Sequence, residues 1–160
     1  MSGLQALPVN IPREVSSLLL PLADGQLLVP VDTLVEVIGV QAPLSVYGAP
    51  DWYLGELKWR EQRLPLVSFE VLRGSSLAMG GDSGRIAVLN TGNAEGGLPF
   101  VALMLRGTPR LVRVVQSDLA GRNQSCKSGE LMHVALSGEE AVIPDLQALE
   151  TACLQYHRGG

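Results

Sequence analysis

Ser83, in the run Gly80-Gly81-Asp82-Ser83-Gly84, is the first group in this chain whose neighbours suggest covalent chemistry, because Gly-Asp-Ser-Gly frames the nucleophile of some serine hydrolases. A serine hydroxyl attacks only when a hydrogen-bonded base takes its proton, and in that setting the His and Asp precede the Ser. Here both histidines, His133 and His157, follow it, and no strand–Ser–helix elbow surrounds it. The glycine-rich run reads as a linker, and no catalytic residue is expected. Metal chemistry is equally thin. Cys126 and His133 are too far apart for paired zinc spacing, and neither Cys-x-x-Cys nor His-Glu-x-x-His occurs. No glycine-rich phosphate cradle appears either, and the adjacent acids Glu139-Glu140 suit a solvated turn. The expectation is no metal ligand and no cofactor.

The remaining chemistry is that of contact. Tyr47, Trp52, Tyr53 and Trp59 lie close together in a chain with only two tryptophans, three tyrosines and two phenylalanines, and Arg60, Glu61 and Arg63 sit beside them. Trp, Tyr and Arg dominate protein–protein hot spots, because they bury much area with few torsions and keep a polar handle. The same tryptophans could instead fill a small β core.

These side chains need β elements to position them. Leu18–Leu22 and Leu27–Val31 flank Ala23-Asp24-Gly25-Gln26, so they read as a hairpin. Asp32 could cap one or two helical turns, with Leu34, Val37 and Ile38 at i, i+3, i+4; the same letters could equally extend a strand. Further strands are expected at Gln62–Phe69, Arg85–Leu89, Leu98–Leu105, Leu131–Leu136 and Ala141–Ile143. Thr91–Gly97 reads as a hairpin tip and Gly121–Gly129 as a polar loop. Asp145 precedes Leu146, Leu149 and Cys153, the pattern of a capped amphipathic helix. Leu34–Ile38 and Leu111–Val115 echo one another with opposite charge at the central residue, Glu36 or Arg113, which either marks two related sub-barrels or is a chance likeness of β-rich pentads.

The expected organisation is an N-terminal extension over 1–16, one domain over 17–155 with a crossover near 74–84, and a frayed tail over 156–160. With 160 residues, 46% hydrophobic and 18% charged, the composition is that of a folded body. A net charge of −4 and a pI of about 5.1 provide no basic footprint for nucleic acid or anionic lipid. Two distant cysteines fit a reducing cytoplasm. Leu18–Leu22 is too short for a membrane span, which takes roughly 20 apolar residues, and lacks the basic flank of a signal peptide. No nucleic acid partner and no direct membrane insertion are expected.

The run Val29-Pro30-Val31-Asp32-Thr33-Leu34-Val35-Glu36-Val37-Ile38, the loop Gly48-Ala49-Pro50, then Gly55-Glu56-Leu57-Lys58-Trp59-Arg60 leading into Leu64-Pro65-Leu66-Val67, resembles the CheW-like coupling proteins of bacterial chemosensory systems. The likeness runs from about Leu18 to the helix around Leu149. It implies an all-β fold of two intertwined five-stranded SH3-like β-barrels with a short C-terminal helix. It also implies a non-catalytic adaptor or scaffold in signal transduction and chemotaxis, one that couples the regulatory domain of a CheA-like histidine kinase to the cytoplasmic tip of a methyl-accepting chemoreceptor. Such a protein would be cytoplasmic and recruited to membrane receptor arrays.

By position, Leu34 and Glu36 fall where the family contacts receptors and Arg60 on its characteristic arginine; with Trp59 these form the expected protein interface. An ion pair between Glu36 and Arg60 could present Leu34 to a partner, or be a solvated surface pair. Three residues depart from the family pattern. Lys58-Trp59-Arg60-Glu61 replaces Asn-Leu-Arg-Gly, which would strain a backbone needing positive φ at Glu61. Ser68 replaces an Asp, and Arg106 precedes Gly107 where an acid is usual. The chain is thus similar to a divergent member, like the accessory CheW-like proteins of type IV pilus chemosensory systems. A general β-barrel module for a peptide or oligonucleotide is the alternative reading.

Overall fold

Alternating and β-branched segments form eleven strands in a computed structural model that describes residues 14–75, 84–92, 97–115, 119–121, 126–136 and 138–157. The expected first hairpin is β1 (Glu14–Leu22) and β2 (Gly25–Pro30), with Leu22 opposite Gly25. Glu14, Val15 and Ser16, assigned above to an extension, already belong to β1 and pair with Val115, Val114 and Arg113. Val31–Thr33 forms a single 3-10 turn begun at Pro30, and the Asp32 side chain caps nothing. Leu34–Ile38 is then a strand, β3. Val35, Val37 and Ile38 lose side-chain freedom in a helix and favour a pleated surface, which settles the open choice for strand.

The remaining order is β4 (Tyr53–Trp59), β5 (Gln62–Val67), helix α1 (Phe69–Leu72), β6 (Arg85–Asn90), β7 (Phe100–Leu105), β8 (Arg110–Val115), β9 (Leu119–Gly121), β10 (Glu130–Leu136), β11 (Glu139–Pro144) and α2 (Leu146–Leu154). Sequence had carried β5 through Phe69. The strand stops at Val67 because Ser68 is an N-cap, its hydroxyl accepting from the Val71 N–H at 3.3 Å. Asp145 caps α2 in the same way, accepting from Ala148 N–H at 3.0 Å. Ser and Asp are near-equal caps, so Ser68 costs this corner little.

Two sheets result, β3-β6-β7-β5-β4 and β8-β1-β2-β11-β10-β9. The second exceeds the expected five strands only by the three-residue β9. Setting β9 aside, the orders superimpose: β3 on β8, β6 on β1, β7 on β2, β5 on β11 and β4 on β10. The pairing senses agree too, with β5–β7 and β11–β2 the parallel pairs. A bulge interrupts β4 between Tyr53 and Gly55 and β10 between Glu130 and Met132. The echo between Leu34–Ile38 and Leu111–Val115 therefore falls on equivalent edge strands. Each sheet combines the first hairpin of one half with the remaining strands of the other, which is how the halves intertwine.

The core follows that exchange. Leu20, Leu22, Leu27 and Val29 of β1 and β2 meet Leu89, Val101, Leu103 and Leu105 of the other sheet in one central cluster, sealed by Phe69, Leu149 and Cys153. Smaller clusters fill each sheet's own interior, around Val134 in one and around Leu57 and Trp59 in the other. Burial, then the nearby charge of Glu150, pushes the Cys153 thiol up to about 12. The tail is anchored at its start: the Tyr156 ring lies 5.8 Å from that of Tyr53, and His157 Nδ1 lies 3.1 Å from Glu56 Oε2. Those two residues are thus not frayed. Residues 1–13, most of the crossover with Ser83, and 158–160 lie outside the described residues.

Candidate partner interface

The β4–β5 hairpin turns on two residues, since Trp59 pairs with Gln62. Arg60 (φ 47°) and Glu61 (φ 63°) both occupy the left-handed region. That is the type I′ pattern that matches strand twist and favours Asn-Gly. For residues with a Cβ it costs roughly 1–2 kcal/mol each. The strain expected at Glu61 is present, and Arg60 shares it.

Across from this turn stands Glu36. β3 and β4 are the two outer strands of their sheet, yet the sheet coils until they face each other. Trp59 Nε1–H donates to Glu36 Oε1 at 3.0 Å, and Arg60 Nη2–H donates to the same oxygen at 3.2 Å. The Arg60 guanidinium lies over the Trp59 ring, 4.4 Å from its centroid. Trp59 itself is buried among Leu64, Val88, Val35, Ile38 and Phe100. It is a core residue with a polar handle: its body plugs the barrel and its N–H fixes Glu36. Side chains thus close a seam that the backbone ladder leaves open. The charged groups stay wet, with 61% of the Arg60 side chain and 41% of that of Glu36 exposed.

Leu34 is not part of this cluster. A bulge between Leu34 and Glu36 places Leu34 opposite Leu89 and Glu36 opposite Val88. Leu89 belongs to the central core and Val88 to the Trp59 cluster, so Leu34 packs inward, half-buried, on the other face of β3. Simple alternation puts residues 34 and 36 on one face; the extra residue breaks it. Of the four expected interface residues, three converge and the fourth anchors their strand.

Of the loop beside them, sequence reasoning picked out Tyr47 and Gly48-Ala49-Pro50 but missed how the loop is fastened. Leu44 bridges the outer edge of β4, exchanging backbone bonds of 2.9 Å with Glu56 in both directions. Gly55 permits this approach, because a Cβ there would collide with the Leu44 carbonyl and the Pro43 side chain. The loop exposes Val40, Leu44 and fully Tyr47, next to an apolar recess of about 440 Å³ floored by Leu54, Leu66 and Met104. Of the aromatic group, Tyr47 alone is fully open; Tyr53 is core, and Trp52 packs on it edge to face at 5.9 Å.

A second polar cluster ties the halves together. Arg73, just after α1, pairs with Asp24 of the β1–β2 turn and, at 2.9 Å, with Glu130 of β10, while its guanidinium lies over Phe69. Glu130 also accepts from the Lys127 N–H at 2.8 Å and lies 2.7 Å from His133 Nε2. Burial works against its charge, but those partners outweigh it and hold its carboxyl below the ordinary glutamate range.

With this geometry in hand, a family model described as the CheW-like domain matches residues 16–152. Among solved structures, the crystal structure of scaffolding protein TtCheW from Thermoanaerobacter tengcongensis is similar, with a TM-score of 0.70 over 82% of this chain and 89% of that one, at 10% identity. At such low identity that likeness speaks for the fold. No curated protein matches.

Proposed function

The chain belongs to the CheW-like domain family, and from that membership we propose that it is a non-catalytic coupling adaptor of a bacterial chemosensory system. In this reading it joins the regulatory domain of a CheA-like histidine kinase to the cytoplasmic tip of a chemoreceptor. It acts in the cytoplasm at receptor arrays, needs no cofactor, and serves a pathway that controls type IV pilus motility. No described helix is long and apolar enough to cross a membrane.

The observation that carries the reading is the Glu36–Trp59–Arg60 cluster. An exposed ion pair contributes only about 0–1 kcal/mol to folding, yet here it stands on a turn whose two central residues have positive φ. Strain kept where Gly or Asn would relieve it is a feature of functional sites. Trp59 holds the carboxylate from below, and Arg60 presents its outward face with a fixed orientation, the preorganisation that makes an interface residue effective. Leu34 contributes by seating β3.

Calorimetric titration with the kinase regulatory domain and the receptor tip from the same genome tests this. Micromolar binding to at least one partner is expected, weakened about tenfold or more (~1.4 kcal/mol) by Arg60→Glu or Glu36→Lys in proteins that still fold. Binding to neither partner, or binding indifferent to both substitutions, would sink the assignment.

A further inference from the structure

Cys126, Glu130 and His133 bring a thiol, a carboxylate and an imidazole to one point, with one ligand-type atom from each lying within 4.8 Å of the others. The spacing gave no hint of this, because residues three apart in an unbroken strand point to opposite faces. The bulge in β10 between Glu130 and Met132 supplies the extra residue that turns Glu130 and His133 to the same side. The turn before β10, closed by the Glu130 N–H donating to Lys127 O at 3.0 Å, lays Cys126 beside them.

We propose that these three side chains form a binding site for a single zinc ion. Sulfur, nitrogen and a single carboxylate are a borderline-soft donor set, which suits zinc and disfavours magnesium or calcium. Glu130 is already placed as a ligand of this kind would be: Arg73 takes its Oε2 and the Lys127 N–H orients Oε1, an outer shell of hydrogen bonds that fixes the donor oxygen. Zinc bonds of about 2.0–2.3 Å put tetrahedral ligand atoms roughly 3.3–3.6 Å apart. His133 Nε2 and Glu130 Oε1, at 2.7 Å, must open slightly, which calls for a small shift of the partly exposed His133 ring. The imidazole then binds through Nε2 with its proton on Nδ1, the Cys126 thiol releases its proton to solvent as the sulfur–zinc bond forms, and water takes the fourth position. Because a proton leaves, binding strengthens as pH rises. Buried Cys153, on α2, is no part of the site.

The test is titration of the reduced, metal-stripped full chain with cobalt(II) as a spectroscopic substitute, followed by displacement with zinc. One equivalent should produce a thiolate-to-cobalt charge-transfer band and the visible bands of a tetrahedral ion. Cys126→Ser, at an exposed position, should abolish the charge-transfer band, and His133→Ala should weaken binding at least tenfold. The proposal fails if the unaltered chain gives no such band, if Cys126→Ser keeps it, or if His133→Ala binds as tightly as the parent, which would leave an adventitious thiol contact only.

Discussion

The β4–β5 and β10–β11 corners stand at the same place in the two halves of the duplicated fold, and they solve the same turn differently. In the β10–β11 corner Leu136 pairs with Glu139 and the second turn position is Gly138, whose φ of 84° costs a glycine nothing. In the β4–β5 corner that position is Glu61, with Arg60 before it, both held at positive φ. Where one half closes with a buried leucine, the other has Trp59 reaching out to Glu36. The equivalent edge strand, β8, carries Arg113 in place of Glu36, and that arginine spends its charge on Glu14 at 3.4 Å, largely in water. One corner is built for economy; the other keeps strain and an oriented ion pair on its surface, and it is on this difference that the proposed contact site rests.

Substitutions at the two corners test that contrast. Trp59→Ala should be the most damaging, destabilising the protein by about 3–5 kcal/mol in urea unfolding, since it empties the seam and frees Glu36. A loss under ~1 kcal/mol would mean the seam closes without it. Trp59→Leu, which imitates the opposite corner, should restore most of the packing while still releasing the carboxylate. Glu61→Gly should work in the other direction, raising stability by about 1 kcal/mol in thermal melts and leaving partner affinity near that of the parent; no gain would mean the turn is not strained. Arg113→Ala should be the smallest, below about 0.5 kcal/mol, whereas Arg60→Ala, similarly mild in stability, should cost binding. Equal effects of those two on affinity would erase the distinction between the corners.

Acid should loosen the tie between the halves. Glu130 has a folded-state pKa below its ordinary value, so its contribution is complete above the ordinary glutamate range and is lost as pH falls through the lowered value. Unfolding free energy should therefore slope downward below about pH 4.3, and Glu130→Gln should flatten that slope at the expense of stability at neutral pH.

Much of the fold could be read from the chain because local rules and tertiary demands agree there. Asp24-Gly25 between two apolar runs makes a hairpin, and Asp145 before a 3.6-residue pattern makes a capped helix. The site was legible in part: Glu36 and Arg60 were paired from sequence, and Trp59 was picked for its chemistry. What stayed hidden has separate physical causes. The bulges at Val35 and Leu131 each reverse which face the following residues take, and a bulge leaves no signature in composition. The facing of β3 and β4 depends on sheet coiling, which involves residues of every strand. Ser68 was readable as a cap, but the apolar continuation through Phe69 outweighed it in a strand reading.

Because β1 pairs with β8 and β2 with β11, the first hairpin is joined to partners separated from it by roughly a hundred residues, a topology that makes folding slow. During synthesis, β1 and β2 emerge carrying Leu20, Leu22, Leu27 and Val29 of the central core, and the β6 and β7 residues that cover them follow only after β3, β4 and β5 have been made. The nascent chain must keep Leu20, Leu27 and Val29 from aggregation until those strands arrive, and α2 then seals the cluster with Leu149 and Cys153. A truncation that removes only the last helix should therefore fail in the cell by precipitation, rather than yield a smaller working domain.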